Sequence, residues 1–146
     1  MKKEMVTGLN NYLSDLAVLH IKFHNLHWNV TGKQFVSIHE YLETQYDKCA
    51  DYLDAVAEML KINGETPLAS LKEYLAATSI EELESVELPV EKVLEIVTAD
   101  IKKMNVSAYA LRKEADEDGL FTLVGMFEDH IGAYEKDLWF LSAMVK

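Results

Sequence analysis

Cysteine is almost missing from this chain: Cys49 is the only one in 146 residues. That excludes an internal disulfide framework and fits a reducing compartment. Proline occurs twice and glycine six times, so both act as punctuation between longer segments. No apolar run approaches the roughly 20 residues needed to cross a bilayer, although 49 % of the residues are hydrophobic. The opening "MKKEMVTGLNNYLSDL" carries two lysines with no continuous apolar segment behind them. It reads as the first turns of a helix, not a secretory signal, and the protein is expected to be cytoplasmic, with no membrane partner. Basic residues are scarce as well: 14 Lys and Arg stand against 25 Asp and Glu, for a net charge of −11. Nucleic-acid binding relies on cations that neutralise phosphates, and the candidate patch, Lys2-Lys3, is only two charges, so a general DNA binder is not expected. An acidic surface serves solubility in most proteins and is also compatible with handling cations.

What the chain has in quantity is helical periodicity. Leu9, Leu13, Leu16 and Phe23 share one stripe of a first helix that should end near Thr31-Gly32. Phe35, Leu42, Cys49, Leu53, Val56 and Leu60 form a second stripe, closed by Asn63-Gly64 with Pro67 beyond. Val90, Leu94, Val97, Ile101, Met104, Ala108 and Leu111 mark a third helix behind Pro89. Leu120, Leu123, Phe127, Ile131, Tyr134, Leu138 and Leu141 mark a fourth after "DEDG" at 116–119. No β-type alternation competes. The fold expected is all-α, one four-helix bundle domain over residues 1–146. The first and last pairs have short connections and form antiparallel hairpins. About two dozen residues separate the second helix from the third, with an apolar helical pattern of their own at Leu68, Leu71, Tyr74 and Leu75. A second helix of roughly 27 residues is about 40 Å long, and a connection of this size spans it. That is a ferritin-like bundle with a short helix in the long crossover between helices 2 and 3.

Only five histidines occur, and three lie in "HNLHWNVTGKQFVSIHE", residues 24–40. His27 follows Leu9 by eighteen residues, a whole number of turns, so it points inward or toward an interface. His39 opens the second helix, Glu43 follows it by four, and Glu58 follows Asp54 by four. All four fall beside the apolar stripe in a sector about 100° wide. Imidazole and carboxylate at this spacing suit iron, manganese or zinc. Glu43 and Asp54 are nevertheless separated by roughly 16 Å along the helix axis, whereas metal–ligand bonds are about 2 Å. Either two half-sites exist, or two chains meet with antiparallel second helices, so that His27, His39 and Glu43 of one face Asp54 and Glu58 of the other. The Glu-x-x-His pattern of in-subunit di-iron bundles is absent. The bland readings stay beside these: an inward histidine is commonly a hydrogen-bonded core residue, and acid–imidazole pairs occur on solvated faces. His20 and His24 form a rival pair without an acidic neighbour on their face, and His130 is expected at the surface.

These residues resemble the Dps-type mini-ferritins (DNA-binding proteins from starved cells) over nearly the whole chain. "HNLHWNVTGKQFVSIHE" is similar to the signature H-x-x-H-W-N-V-x-G-x-x-F-x-x-x-H-E. "DYLDAVAEMLKINGETP" is similar to D-x-x-A-E-x-x-x-x-x-G-x-x-P, and "YEKDLWFLSA" to the E-K-x-x-W segment of the last helix. The resemblance implies a ferroxidase centre with His27, His39 and Glu43 from one subunit and Asp54 and Glu58 from its two-fold mate. Position 43 departs from the family's usual aspartate. Trp28 matches the tryptophan beside the centre, thought to take up electrons; an interface aromatic is the ordinary alternative. The resemblance further implies a hollow homododecamer built from two-fold dimers, which oxidises Fe2+ preferentially with hydrogen peroxide and stores ferric iron as mineral, protecting against oxidative damage. The family's acidic pore pattern is not kept: Leu123 and Gly125 stand where Thr and Asp are usual, with Asp118, Glu128 and Asp129 as candidate substitutes. The rival reading is a DNA-compacting structural protein. Net charge and the ending "SAMVK", which has no lysine-rich tail, disfavour it.

Overall fold

The computed structural model describes residues 1–146. Four long helices form the bundle: α1 (Lys3–Asn29), α2 (Phe35–Ile62), α4 (Val90–Glu117) and α5 (Phe121–Met144). A short α3 (Leu71–Ala77) lies in the connection between α2 and α4. Each boundary has a local cause. Gly32, Gly64 and Gly119 take positive φ between successive helices, where a Cβ would be strained. Pro89 caps α4, where its missing N–H costs nothing. Ser70 caps α3: its Oγ accepts from the Glu73 N–H at 3.3 Å and donates to Glu73 Oε1 at 2.7 Å.

The crossover returns the chain to its starting end. A two-residue strand β1 (Val30–Thr31), just after α1, pairs in parallel with β2 (Leu88–Pro89), just before α4. Parallel pairing puts residues 30 and 88 side by side, so the segment after Gly64 has travelled back along α2, about 42 Å at 1.5 Å per residue. This small ladder is the one departure from an all-helical reading. It fixes the end of the bundle at which α1 hands over to α2.

The core is continuous from Met5 and Leu9 through Phe23, Leu42, Met104 and Phe127 to Leu141, all fully buried. Truncating one such leucine or phenylalanine to alanine costs about 2–5 kcal/mol in transfer and cavity terms. Polar ties cross this apolar interior. Asp15 on α1 accepts from the Thr78 hydroxyl and the Ser79 N–H, both at 2.7 Å, and so holds the crossover against α1. Lys22 pairs with Asp100 at 2.7 Å between α1 and α4. Burial raises the Asp100 carboxyl, and Lys22 opposes that rise. Lys48 on α2 binds Asp137 on α5, which also accepts from Gln45 Nε2 at 3.1 Å.

Three expectations need correcting. His130 is not at the surface but only 3 % exposed, because it lies three residues after Phe127 and four before Tyr134 on the inward stripe of α5. Phe35, read as part of the α2 stripe, is 38 % exposed at the helix start and lies outside the buried core. Leu71 and Leu75 of α3 are exposed, since that helix lies on the outside of α1.

Candidate metal centre

The end of α1 and the beginning of α2 bring His27 and His39 together. The turn at Gly32 folds α2 back antiparallel to α1, and the two rings stack at 3.6 Å with 13° between planes. His27 Nδ1 lies 2.6 Å from the His39 carbonyl oxygen, and His39 Nδ1 lies 2.8 Å from the His27 carbonyl. A carbonyl oxygen only accepts, so both Nδ1 atoms carry the proton and donate. In neutral rings Nε2 then holds the lone pair. No carbonyl or side chain occupies either Nε2. Imidazole ligands are typically fixed this way, the second ring nitrogen donating to a carbonyl while the first is free for a cation. His27 is buried and His39 half-buried, so the pair sits at the edge of the core rather than in solvent.

Glu43, one turn after His39, is exposed, and its Oε1 accepts from the Tyr46 hydroxyl at 3.3 Å. The Tyr46 ring meets His27 edge-on at 5.2 Å. One tyrosine thus touches both the Glu43 carboxylate and the His27 imidazole. Its importance was missed from sequence, although its position three after Glu43 on the same helix face was the available signal. Trp28 is 67 % exposed and 5.3 Å from His24.

Asp54 and Glu58 also lie on α2, but farther along. Both are exposed, and no cation or donor of the chain pairs with either. Like charges at i, i+4 destabilise a helix mildly unless a cation bridges them. The structure places His27 at the end of α1 near His39 and Glu43 of α2, with Asp54 and Glu58 roughly 16–28 Å farther along α2. Within one chain no three metal-ligating side chains converge. What one chain offers is two separate groups of candidate ligands, one rich in imidazole and one of carboxylates alone.

The other candidates resolve differently. His20 Nδ1 bonds the Tyr46 carbonyl at 2.8 Å, His24 Nδ1 bonds the His20 carbonyl at 2.6 Å, and His24 stacks on Tyr46 at 3.6 Å. These two act as spacers behind Tyr46, and no carboxylate joins them. Asp118 is held by Lys2 at 2.8 Å and Glu128 by Arg112 at 2.8 Å, while Asp129 is exposed without a partner. Lys2, half of the Lys2-Lys3 pair, is thereby engaged. An apolar groove of about 320 Å³ runs between α1 and α3, lined by Ala17, Val18, Ile21, Leu71, Tyr74 and Leu75. Ile21, Leu71 and Leu75 are each more than half exposed there. No helix is long and apolar enough to cross a membrane.

Comparison with known proteins agrees with this architecture. The Ferritin family pattern, described as a ferritin-like domain, matches residues 6–146. DNA protection during starvation protein 2 of Bacillus anthracis is 34 % identical, with 99 % of each chain covered. Among solved structures, antigen TpF1 from Treponema pallidum superposes with TM-score 0.96 at 31 % identity, covering 98 % of this chain and 92 % of that one. A Dps protein from Bacillus brevis superposes with TM-score 0.93 at 29 % identity, with all of both chains covered.

Proposed function

The chain belongs to the Dps-type mini-ferritins of the ferritin-like family, and from that premise we propose that it oxidises ferrous iron at sites shared between paired chains. The family relationship supports iron storage and protection against oxidative damage as the coarse function. The finer reading rests on one observation. Two candidate ligand sets, His27 of α1 with His39 and Glu43 of α2, and Asp54 with Glu58 farther along α2, lie too far apart to share an ion, and no group of three converges within the chain. Antiparallel pairing of two α2 helices about a two-fold axis joins His27, His39 and Glu43 of one chain to Asp54 and Glu58 of the other, twice per dimer. The exposed apolar groove of α1 and α3 gives such a pair a surface to bury. Six such dimers closing into a hollow dodecamer would give the ferric product a cavity.

In this reading iron is the substrate. His27 and His39 bind through Nε2, their orientation held by reciprocal Nδ1–H bonds to main-chain carbonyls. Glu43, Asp54 and Glu58 supply negative charge that favours the ferric over the ferrous state, and Tyr46 orients Glu43. Trp28, exposed beside the half-site, is placed to give up an electron to stray oxidant. Hydrogen peroxide is the preferred oxidant in this proposal, consumed by two-electron steps. With 25 acidic residues in each chain, a shell concentrates cations and repels phosphate, so DNA compaction is not part of the reading.

Anaerobic titration with ferrous iron, followed by peroxide or by dioxygen, tests it. Absorbance should rise on oxidation, faster with peroxide, with saturation near one site per chain for each iron bound. Oxidation no faster than in protein-free buffer would overturn the reading.

A further inference from the structure

Away from the half-sites, α1 and α5 bury a hydrogen-bonded aromatic cluster that the ferroxidase reading does not use. The Tyr12 hydroxyl lies 2.8 Å from His130 Nδ1 and 2.6 Å from the Tyr134 hydroxyl. Tyr12 is 1 % exposed, and His130 and Tyr134 are 3 % exposed each. Tyr52 of α2 stacks on His130 at 3.6 Å with 9° between planes, and Phe127 stands edge-on to Tyr12 at 5.2 Å.

Proton counting assigns the donors. If His130 Nδ1 carried a proton and gave it to Tyr12, Tyr12 would donate to Tyr134, and the buried Tyr134 hydroxyl proton would have no acceptor. With Nδ1 unprotonated, Tyr134 donates to Tyr12, Tyr12 donates to His130, and every hydroxyl proton is placed. A buried hydroxyl without a partner costs about 1–3 kcal/mol, so the second arrangement holds. Tyr12 therefore accepts one hydrogen bond on its oxygen and points its own proton at an imidazole base. Among the tyrosines it alone is bonded to a histidine ring nitrogen.

We propose that Tyr12, held between His130 and Tyr134, is a reversible one-electron reservoir that serves the iron site nearest the end of its own α2. The location depends on the shared-site reading, since Tyr52 precedes Asp54 by two residues, about 3 Å along a helix only about 10–12 Å across. The oxidant is the hydroxyl radical formed when one ferrous ion reduces hydrogen peroxide, leaving ferric iron and hydroxide. An electron from Tyr12, relayed by the Tyr52–His130 stack, converts that radical to hydroxide. As the electron leaves, the phenolic proton crosses to His130 Nδ1, giving a neutral phenoxyl radical and an imidazolium. A second ferrous ion returns the electron, the proton comes back from His130, and a second ferric ion results. Two ferrous ions and one peroxide thus give two ferric ions and two hydroxides even when iron arrives singly. Burial pushes His130 down to about 4, with Lys48 adding to the effect. The imidazolium is thus a poor resting state, and the proton returns readily.

The test uses assembled full-length protein: wild type, Tyr12→Phe, Tyr134→Phe and His130→Gln. Each is loaded anaerobically with ferrous iron, mixed with substoichiometric peroxide, frozen rapidly and read by electron paramagnetic resonance, with ring-deuterated tyrosine to identify the radical. A second arm, without iron, oxidises the same proteins by flash photolysis of tris(bipyridyl)ruthenium(II) with persulfate. The wild type should give a tyrosyl radical in both arms. Tyr12→Phe should abolish it, and His130→Gln, which keeps an acceptor but no base, should lower it at least about tenfold. Tyr134→Phe should change it by less than about fivefold, the effect of one neutral hydrogen bond. One readout needs no substitution: histidine labelled with ¹⁵N should couple to the wild-type radical. A radical of undiminished yield in Tyr12→Phe, or no nitrogen coupling, overturns the proposal. If the ruthenium arm gives the Tyr12 radical while no ferrous oxidation occurs, the redox site stands and the ferroxidase reading falls.

Discussion

Two doubly substituted chains decide where the iron ligands come from. One carries His27→Gln and His39→Gln; each amide keeps an N–H for the opposing carbonyl but lacks the imidazole lone pair. The other carries Asp54→Ala and Glu58→Ala, both exposed and unpaired in the chain, so folding should be unaffected within about ±0.5 kcal/mol. Assembled alone, each should oxidise ferrous iron at background rate. Assembled together at equal amounts with random pairing, about half of the dimers are mixed, and each mixed dimer has one site with every ligand and one with almost none. Intact sites are then about a quarter of the wild-type number, and the rate under saturating ferrous iron should be about a quarter of wild type.

If each chain built its own site, no mixture would contain an intact one. The two outcomes are a quarter and nothing, which ordinary progress curves separate. Assembly must be joint, by co-expression or by refolding from denaturant, and native mass spectrometry of dimers gives the mixed fraction. Scaling the recovered rate to that fraction removes any bias in pairing. Mixed dimers confirmed by mass, with activity still at background, would refute the shared-site reasoning whatever the shell looks like.

Lys48→Met leaves the Asp137 carboxylate, whose side chain is 10 % exposed, with only neutral donors, and should cost about 3 kcal/mol. Adding Asp137→Asn should restore most of that loss, read as a shift of the urea midpoint at unchanged slope. Protonating His130 is disfavoured in the fold because burial pushes it down from 6.5 to about 4. Below the unfolded value the denatured chain binds a proton that the native chain does not. Iron-free stability should therefore fall as pH drops from 6.5 toward 4, by about 3 kcal/mol in all. His130→Phe should remove that part of the slope, and an unchanged slope would contradict the assignment. Tyr46→Phe frees Glu43 and should weaken ferrous binding by about tenfold. It should add nothing to Glu43→Ala, and an additive double variant would show that Tyr46 does not act through Glu43. Plasmid DNA should migrate unshifted with the protein at neutral pH and near-physiological salt, and clear retardation without divalent metal would overturn the charge argument.

Much of the bundle was legible because its signals are local. Gly32, Gly64 and Gly119 with Pro89 mark helix ends through backbone conformation alone, and the stripes of α1 and α4 follow from the 3.6-residue period. Two of the misses have opposite causes. His130 was assigned to solvent on residue type, though it shares the stripe of Phe127 and Tyr134. A histidine is buried where its nitrogen finds a partner, and the partner, Tyr12, lies 118 positions away. Leu71 and Leu75 were read as apolar helix positions and are, yet their face meets no core within the chain. Periodicity reports that a face is apolar, not which molecule covers it.

The candidate ligands divide along the same line. Spacing on α2 was enough to group His39 with Glu43 and Asp54 with Glu58, because residues four apart on a helix share a face whatever surrounds them. The separation between the groups followed from the rise per residue. Which nitrogen of His27 and His39 is free did not follow, because that depends on two main-chain carbonyls meeting across the α1–α2 turn. The sequence names an imidazole, and the fold chooses its tautomer. Each ring here donates to the main-chain carbonyl of the other residue, an acceptor that does not depend on the other ring. Loss of one ring should remove the stacking but leave the survivor's Nδ1 bond in place, so each single variant should keep part of the ferrous binding that the double variant loses.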